Sequence, residues 1–433
     1  MSSTNQQTGW IFVWIVCLFP IVLWFFAPAS VPRFNSIPST LLSISKLAAL
    51  VGTSMFALTL FLSARIKIFE KFFNGLNQVY ERHSQLGQIA MILLMFHPLL
   101  MLPQYTSSIS DAAKFLLPGS NWSNNWGLFS LGLMITLIVL TLYLRPRYNI
   151  WKITHKFLGL AFFLGALHVW LTPSDTASYL PLRYYVLGLS ALGLLAFMYR
   201  TILGQFLVKY YRYQVASIRN LNSAIVEICL TPLKPAFNFV AGQFIFIKFK
   251  NSQLGNEGHP FSIVSPPGAP ELKLAVKNLG DYTAELYKLE VGTDAIIEGP
   301  FGAFSHKTCE HFAQIWIAGG VGITPFISMA ESLTASQCYQ IDLFYCVRNV
   351  EEAIYLDELN TISANMPDTF HLHLFNTDER GRLTADAIQR ESVLLNHKDI
   401  FICAPPGMIH ALHDQFIAKN ISPQNIHSEE FNF

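Results

Sequence analysis

HSQLGQIAMILLMFH, residues 83–97, and HKFLGLAFFLGALH, residues 155–168, are two apolar stretches that each begin and end on histidine. Between its histidines the first holds no charged residue and the second only Lys156. With their flanks, both approach the ~20 residues that cross a hydrocarbon core about 30 Å thick. Runs of the same character lie at roughly 10–27, 41–64, 126–144 and 184–205, and with 86–103 and 156–172 they predict six membrane spans. The composition agrees: of 433 residues 52% are hydrophobic and only 13% charged, too apolar for an ordinary soluble protein.

Trp10 to Ala27 has no Lys or Arg before it and no small-residue cleavage site after it, so it reads as a retained helix rather than a signal peptide. Lys and Arg mark the cytoplasmic side of a membrane protein. Here they gather at Arg65, Lys67, Lys71 and Arg82 between spans two and three, at Arg145, Arg147, Lys152 and Lys156 between four and five, and at Arg200, Lys209 and Arg212 after six. The opposite loops offer little beyond Arg33, Lys114 and Arg183. Both termini and the second half of the chain are therefore expected in the cytoplasm. A net charge of +1 leaves no basic excess for a phosphate backbone and excludes nucleic-acid binding. Six cysteines, Cys17, Cys229, Cys309, Cys338, Cys346 and Cys403, include no C-x-x-C pair, which argues against a cysteine zinc site or a disulfide framework and for a reducing compartment.

Of thirteen histidines, only His83, His97, His155 and His168 precede residue 213. One intramembrane imidazole reads equally well as a polar pin bonded to a carbonyl; two pairs on spans three and five point to ligation. The members of each pair stand 14 and 13 residues apart, roughly 20 Å along a helix. The two spans run the same way, so His83 can face His155 near the cytoplasm and His97 can face His168 near the other surface. Two bis-histidine pockets at two depths suit two b-type haems, and the neutral imidazole is the ligand form. A 14-residue step returns near one helix face, whereas a 13-residue step lands roughly 140° away. Span five is therefore expected to distort, near Gly159 or Gly165, or to present its two haems differently. Tyr80 and Trp151 read as interface aromatics.

The chain changes character near Arg212. YQVASI, AIVEICL and QFIFIKF read as strands of an antiparallel barrel. After Cys309, the segments QIWIA, YQIDLFYCV, FHLHLF and DIFICA alternate with helical stretches, the pattern of a parallel sheet wound with helices. In IWIAGGVGITPFISM a strand ends at Ala318, and Gly319, Gly320, Val321 and Gly322 allow a tight turn. Ile323 and Thr324 then open a helix aimed at a phosphate.

Several of these segments resemble the ferredoxin reductase superfamily, and their order along the chain resembles its ferric reductase and NADPH oxidase branch in a compact bacterial-like form. GHPFSIVS resembles the flavin-binding strand. The resemblance implies that His259, Pro260, Phe261 and Ser262 bind FAD, with Phe261 along the flavin and Ser262 near its reactive edge. Lys277, Gly280, Asp281, Tyr282 and Thr283 in VKNLGDYT correspond to a pyrophosphate site at a helix start, with Lys277 where the family more often has Arg. Asp281 or Thr283 reads equally as a helix cap. EGPFGAFS, from Glu298 to Ser305, resembles the closing strand and loop.

GGVGITP matches the nicotinamide motif without a mismatch. Arg348 after the next strand is where a cation recognises the 2′-phosphate of NADPH, with NADH also open. FICAPPGMI resembles C-G-P-P-G-M with Ala404 in place of Gly, which puts Cys403, Pro405 and Met408 along the hydride path; a buried structural thiol is the plainer reading of Cys403. HSEEFNF ends on Phe431 and Phe433, either of which the resemblance makes the aromatic cover of the flavin.

The expected architecture is a multi-domain membrane protein. It comprises a six-helix transmembrane haem bundle at 1–210, an antiparallel β-barrel FAD domain at 211–308 and an α/β parallel-sheet nucleotide-binding domain at 309–433. The family's activity moves electrons from cytosolic NADPH through FAD and two haems to an acceptor outside a bacterial-type cytoplasmic membrane. Hydride donors release two electrons together, haems carry one, and a flavin handles either number. The acceptor is expected to be a ferric chelate, slightly ahead of dioxygen, whose reduction would yield superoxide. A periplasmic protein fed by an electron-transfer subunit, and a non-enzymatic haem sensor, are the readings from other classes. No EF-hand loop occurs in the sequence, which argues against calcium control.

Overall fold

Polar caps and apolar interiors set the helices of the first half. The computed structural model describes residues 2–430 apart from 107, 145, 147, 252, 253, 255, 256, 310, 393 and 394. It forms two compact units, one holding Gln6–Phe73 with Gln78–Val208 and the other holding the chain from Lys209 onward together with Asn74–Asn77 and the residues up to Asn5. In the first unit, helices cover Ser2–Phe26, Ile37–Leu62, Leu76–Tyr105, Trp122–Val139, Tyr148–Lys156, Leu158–Leu171 and Leu180–Phe197. The Ser36 side chain accepts from Ser39 N to start Ile37–Leu62, and Asn121 takes the Ser123 and Asn124 N–H groups to start Trp122–Val139. Among the described residues five helices are long and apolar enough to cross a membrane: Thr8–Phe26, Ile37–Leu62, Leu76–Tyr105, Asn149–Leu171 and Leu180–Ile202. The remaining expected span is the 18-residue helix Trp122–Val139, whose first turn, WSNN, is polar, continued by a π-helical turn at Leu140–Leu144. One buried carboxylate ties the bundle together: Asp175 accepts from Trp24 Nε1 at 3.1 Å, Lys46 Nζ at 2.8 Å and Ser30 Oγ at 2.8 Å.

The predicted distortion of span five is present, but at Phe157 rather than at a glycine. The helix Tyr148–Lys156 ends there and Leu158–Leu171 begins. Phe157 N bonds Thr154 O at 3.0 Å, a tighter turn that rotates the following helix by about 20° per residue relative to α geometry. Gly159 and Gly165 are helical; a Cβ on Gly159 would meet the Phe197 ring at 2.4 Å, so that glycine serves close packing.

The second unit carries two sheets. Strands β1 (Tyr211–Asn222), β2 (Ile225–Pro232), β3 (Phe244–Phe249), β4 (His259–Ser262), β5 (Leu272–Lys277) and β6 (Asp294–Phe301) pair antiparallel in the order β4-β3-β6-β1-β2-β5. Just beyond β4, Val264 N donates to Lys273 O at 2.9 Å and curls the two edges of the sheet toward one another. Inward residues such as Val215, Ile228, Ile247, Leu274 and Ile297 fill this barrel. Strands β7 (Ala313–Gly319), β8 (Gln340–Val347), β9 (Phe370–Asn376), β10 (Asp399–Cys403) and β11 (Ile426–Glu429) form a parallel sheet ordered β11-β10-β7-β8-β9. Alternation along β7 buries both faces, Trp316 and Ala318 on one and Ile315 and Ile317 on the other. The two sheets meet through buried hydrogen bonds: Tyr355 OH donates to Glu227 Oε2 at 2.7 Å, and Ser328 Oγ to Ser265 O at 2.8 Å.

Candidate functional site

The four membrane histidines meet in the two predicted pairs. Ring centroids lie 6.0 Å apart for His83 and His155 and 6.5 Å for His97 and His168. Two imidazoles on one iron, each bound at about 2.0–2.1 Å through nitrogen, place their centroids about 6 Å apart, so both pairs have the spacing of axial ligands. His83 Nδ1 lies 2.8 Å from Thr59 O, and His168 Nδ1 lies 2.8 Å from Ser123 O. His97 Nδ1 faces both Ser45 O at 3.1 Å and Ser45 Oγ at 2.9 Å, while that hydroxyl donates to His97 O at 2.7 Å. A carbonyl only accepts, so Nδ1 holds the proton in each case and Nε2 keeps the lone pair an iron needs. His155 is held differently, by stacking on Trp151 with centroids 5.1 Å apart.

Ser45, Thr59, Ser123 and Gly127 escaped the sequence reading. Gly127 follows Ser123 by one turn, and a Cβ there would stand 3.0 Å from His168 Cγ and Nδ1. One turn of helix thus supplies both the carbonyl that orients the ring and the bare Cα that admits it. The signal was a small residue facing inward, common in any membrane bundle.

In the second unit, β4 presents Ser262 Oγ buried with no hydrogen-bond partner among the described residues, and the Tyr282 hydroxyl and Glu429 Oε2 share that condition. Buried polar atoms left unpaired are costly, and three of them on the flavin-motif strand, the GDYT segment and the last strand fit a polar cofactor. His259 stacks on Tyr282 with centroids 3.6 Å apart, which joins the H-P-F-S and GDYT motifs. Phe261 is half-buried against the barrel core, next to Pro260 on the same strand. Lys277 ends β5. Thr283 Oγ1 accepts from Leu279 N at 2.9 Å and Gly280 N at 3.0 Å, so Thr283 caps the short helix Asp281–Glu285.

GGVG lies at the carboxyl end of β7 and CAPPGM at that of β10, the neighbouring strand from which the chain order reverses. Such a switch point opens a crevice for nucleotides. Gly320 has φ +56°, and a Cβ on Gly322 would meet Cys403 O at 2.1 Å. A Cβ on Gly319 would meet Ala404 Cβ and Pro405 Cδ at 2.9 Å, so the two motifs are in contact. Val321 and Ile323 complete a 3₁₀ turn, and Thr324 starts the helix Thr324–Glu331. Met408 packs on the sheet from the helix Pro406–Ala418. Arg348, just past β8, is exposed.

Cys403 pairs in register with Glu429 on β11, a strand too short and polar to be recognised from sequence. Burial pushes the Glu429 carboxyl up to about 8, and burial followed by the Glu429 charge pushes the Cys403 thiol well above its ordinary value. Phe431 and Phe433 lie outside the described residues.

Three families match in sequence along the chain: "Ferric reductase like transmembrane component" over residues 48–166, "FAD-binding domain" over 210–305 and "Oxidoreductase NAD-binding domain" over 316–414. Among curated relatives, the reductase component of propane 2-monooxygenase from Rhodococcus jostii (strain RHA1) is 24% identical over 247 residues, covering 53% of this chain and 66% of its own length. The ferredoxin reductase component of 3-ketosteroid-9-alpha-monooxygenase from Mycobacterium tuberculosis (strain ATCC 25618 / H37Rv) is 26% identical over 197 residues, covering 45% and 55%. The chain therefore spans about two thirds or less of these relatives. A flavohemoglobin from Malassezia yamatoensis with bound FAD and heme aligns over 92% of this chain and 97% of its own, with a TM-score of 0.50 and 16% identity, a likeness of fold alone. With a ferric reductase-like membrane component, an FAD domain and an NAD domain following one another, the chain is an NAD(P)H-dependent oxidoreductase of ferric reductase and NADPH oxidase-like architecture.

Proposed function

We propose that the protein carries electrons from cytoplasmic NADPH across the membrane to a ferric chelate. In this reading residues 1–210 form a six-span di-haem bundle, the π-helical turn at Leu140–Leu144 completing span four, with both termini inside. The domain at 211–308 holds FAD and that at 309–433 holds the nicotinamide. The observation that carries the proposal is the pair of imidazole couples at 6.0 and 6.5 Å, stacked at two depths of one bundle. When bound, the flavin takes up a hydride and releases its electrons singly, and the haems carry them one at a time.

The chain's own groups do the placing. Thr59, Ser45 and Ser123 fix the tautomer of three histidines, and Trp151 fixes the plane of the fourth. Ser262 would hydrogen-bond the flavin, Lys277 and the Asp281–Tyr282 backbone would hold its pyrophosphate, and Gly319–Gly322 would let the dinucleotide approach the backbone closely. Arg348 selects the 2′-phosphate. Cys403 and Glu429, both neutral at neutral pH, line the hydride path without adding charge, and Phe431 or Phe433 covers the flavin.

A second reading has support from the curated relatives, which are named as reductase or electron transfer components of oxygenases. Here the chain would supply electrons to a protein outside the membrane. The deciding experiment is NADPH oxidation by the purified protein, first in air and then anaerobically with ferric chelates, with ferrous iron and superoxide measured separately. Anaerobic ferrous iron formation matching NADPH loss supports the proposal. Superoxide as the main product replaces it with an oxidase, and turnover with neither acceptor replaces it with the subunit reading.

A further inference from the structure

The geometry points to a divalent transition-metal site, of the zinc class, built from Cys309, Asp399 and His427 at the amino-terminal edge of the parallel sheet. The three side chains come from the loop before β7, the first residue of β10 and the second residue of β11. Their ligand atoms all lie within 4.8 Å of one another. Cys309 Sγ is 3.2 Å from His427 Nε2, and the same Nε2 is 2.9 Å from Asp399 Oδ1.

That shared nitrogen separates the two explanations of such a cluster. A Cys–His–Asp proton relay uses both ring nitrogens, one toward sulfur and one toward the carboxylate. Here the sulfur and the carboxylate oxygen both face the same ring nitrogen, and the three ligand atoms lie within 4.8 Å of one another. Without a cation, one Nε2–H is shared between the carboxylate and a sulfur that is only a weak acceptor. A cation held between them would take a lone pair from each. Tetrahedral zinc, with bonds of about 2.3 Å to sulfur and 2.0–2.2 Å to nitrogen and oxygen, separates its ligand atoms by about 3.3–3.6 Å. The observed 3.2 and 2.9 Å therefore need to open by about 0.3–0.5 Å, and the sulfur–oxygen pair lies within 4.8 Å.

The surroundings are those of a held ligand set. The Asp399 side chain is 5% exposed and that of His427 13%. The far carboxylate oxygen, Oδ2, accepts from His311 N at 3.1 Å and lies 3.0 Å from His311 Nδ1, which turns Oδ1 toward His427 as an outer partner of a metal ligand does. The His427 ring packs on Phe401, with centroids 4.7 Å apart. One thiolate and one carboxylate balance a divalent charge, and the mixed sulfur, nitrogen and oxygen set favours zinc over calcium or magnesium. The site lies at the end of β10 opposite Cys403, about 13 Å along a five-residue strand. It would fasten β11, a four-residue edge strand, two residues before Glu429. The sequence reading set a cysteine zinc site aside for lack of a C-x-x-C pair, but here the ligands are 118 and 28 residues apart in the chain and only the fold assembles them.

The test uses the full chain purified in detergent, stripped with a chelator and dialysed against zinc chloride. Bound zinc is counted by elemental analysis in the parent, Cys309→Ser and His427→Gln. The parent should hold one more zinc per chain than either variant; zinc on the membrane histidines would be equal in all three and cancels. On the parent alone, zinc should slow alkylation of Cys309 about tenfold, because a metal-bound thiolate is withdrawn from reaction, while exposed Cys338 reacts at an unchanged rate. His311→Phe should weaken zinc binding by about 10-fold to 100-fold. Equal zinc content in parent and Cys309→Ser, or Cys309 alkylation indifferent to zinc, would show a hydrogen-bonded cluster and overturn the assignment.

Discussion

Replacing Glu429 by Gln should flatten the pH dependence of stability in the nucleotide-binding unit. The side chain is buried, with Oε2 unpaired among the described residues, and burial lifts its carboxyl from an ordinary 4.5 to about 8. Between these two values the folded protein keeps a proton that the unfolded chain has released. Stability is therefore fully present below about pH 4.5 and falls as the pH rises through 8, by about 1.4 kcal/mol per unit in the steep part. From pH 6 to pH 8, where the folded group begins to ionise, the loss comes to about 2 kcal/mol. With a urea dependence of about 2 kcal/mol per molar, that moves the midpoint down by about 1 M. The assay is a urea titration of the purified protein at the two pH values, followed by flavin fluorescence. Gln keeps the shape and removes the titration, so the variant's midpoint should shift far less. An unchanged parent midpoint, or an equal fall in parent and variant, would refute the assignment of the raised carboxyl to Glu429.

Gly127→Ala sets a Cβ 3.0 Å from the His168 ring, which cannot retreat without stretching its 2.8 Å bond to Ser123 O. Haem per flavin, measured as the pyridine complex, should fall from two toward one, with a stability loss of about 1–3 kcal/mol. Gly322→Ala would place a Cβ 2.1 Å from Cys403 O, a contact with backbone that no rotamer relieves; NADPH-dependent flavin reduction should be nearly lost while haem content stays at the parental value. Tyr355→Phe strips the donor from Glu227 Oε2 and leaves partners only on Oε1, Arg219 at 3.1 Å and Cys229 Sγ at 4.0 Å. It should lower the stability of the unit by about 1–3 kcal/mol in urea titration.

The parts legible in the sequence were those whose physics is local. Apolar runs announced the helices, and alternation in QIWIA and AIVEICL announced strands within a residue or two of β7 and β2. GGVG reads as a turn from its own residues, because glycine takes φ +56° at 320 without the steric cost a side chain brings. The histidine pairs were legible because two spacings of nearly equal length on parallel helices admit few arrangements. What stayed hidden was set by packing between distant segments. The break at Phe157 is a residue without a breaker's chemistry. Glu429 gains its meaning only from β11 lying beside β10.

The hydrogen-bond partners at the two kinds of centre share one property. Three of the four membrane imidazoles rest their Nδ1–H on main-chain carbonyls, of Thr59, Ser45 and Ser123, and none on a carboxylate. A carboxylate partner would draw that proton, make the ring more basic and bury a charge in the bilayer, where charge is expensive. A carbonyl orients the ring just as firmly and is already paid for by the helix that carries it. In the nucleotide-binding unit, burial disfavours charge on Cys403 and Glu429 in the same way. A chain that passes electrons through low-dielectric surroundings gains from this economy, because these groups beside the cofactor sites add no charge of their own to the field the electron feels.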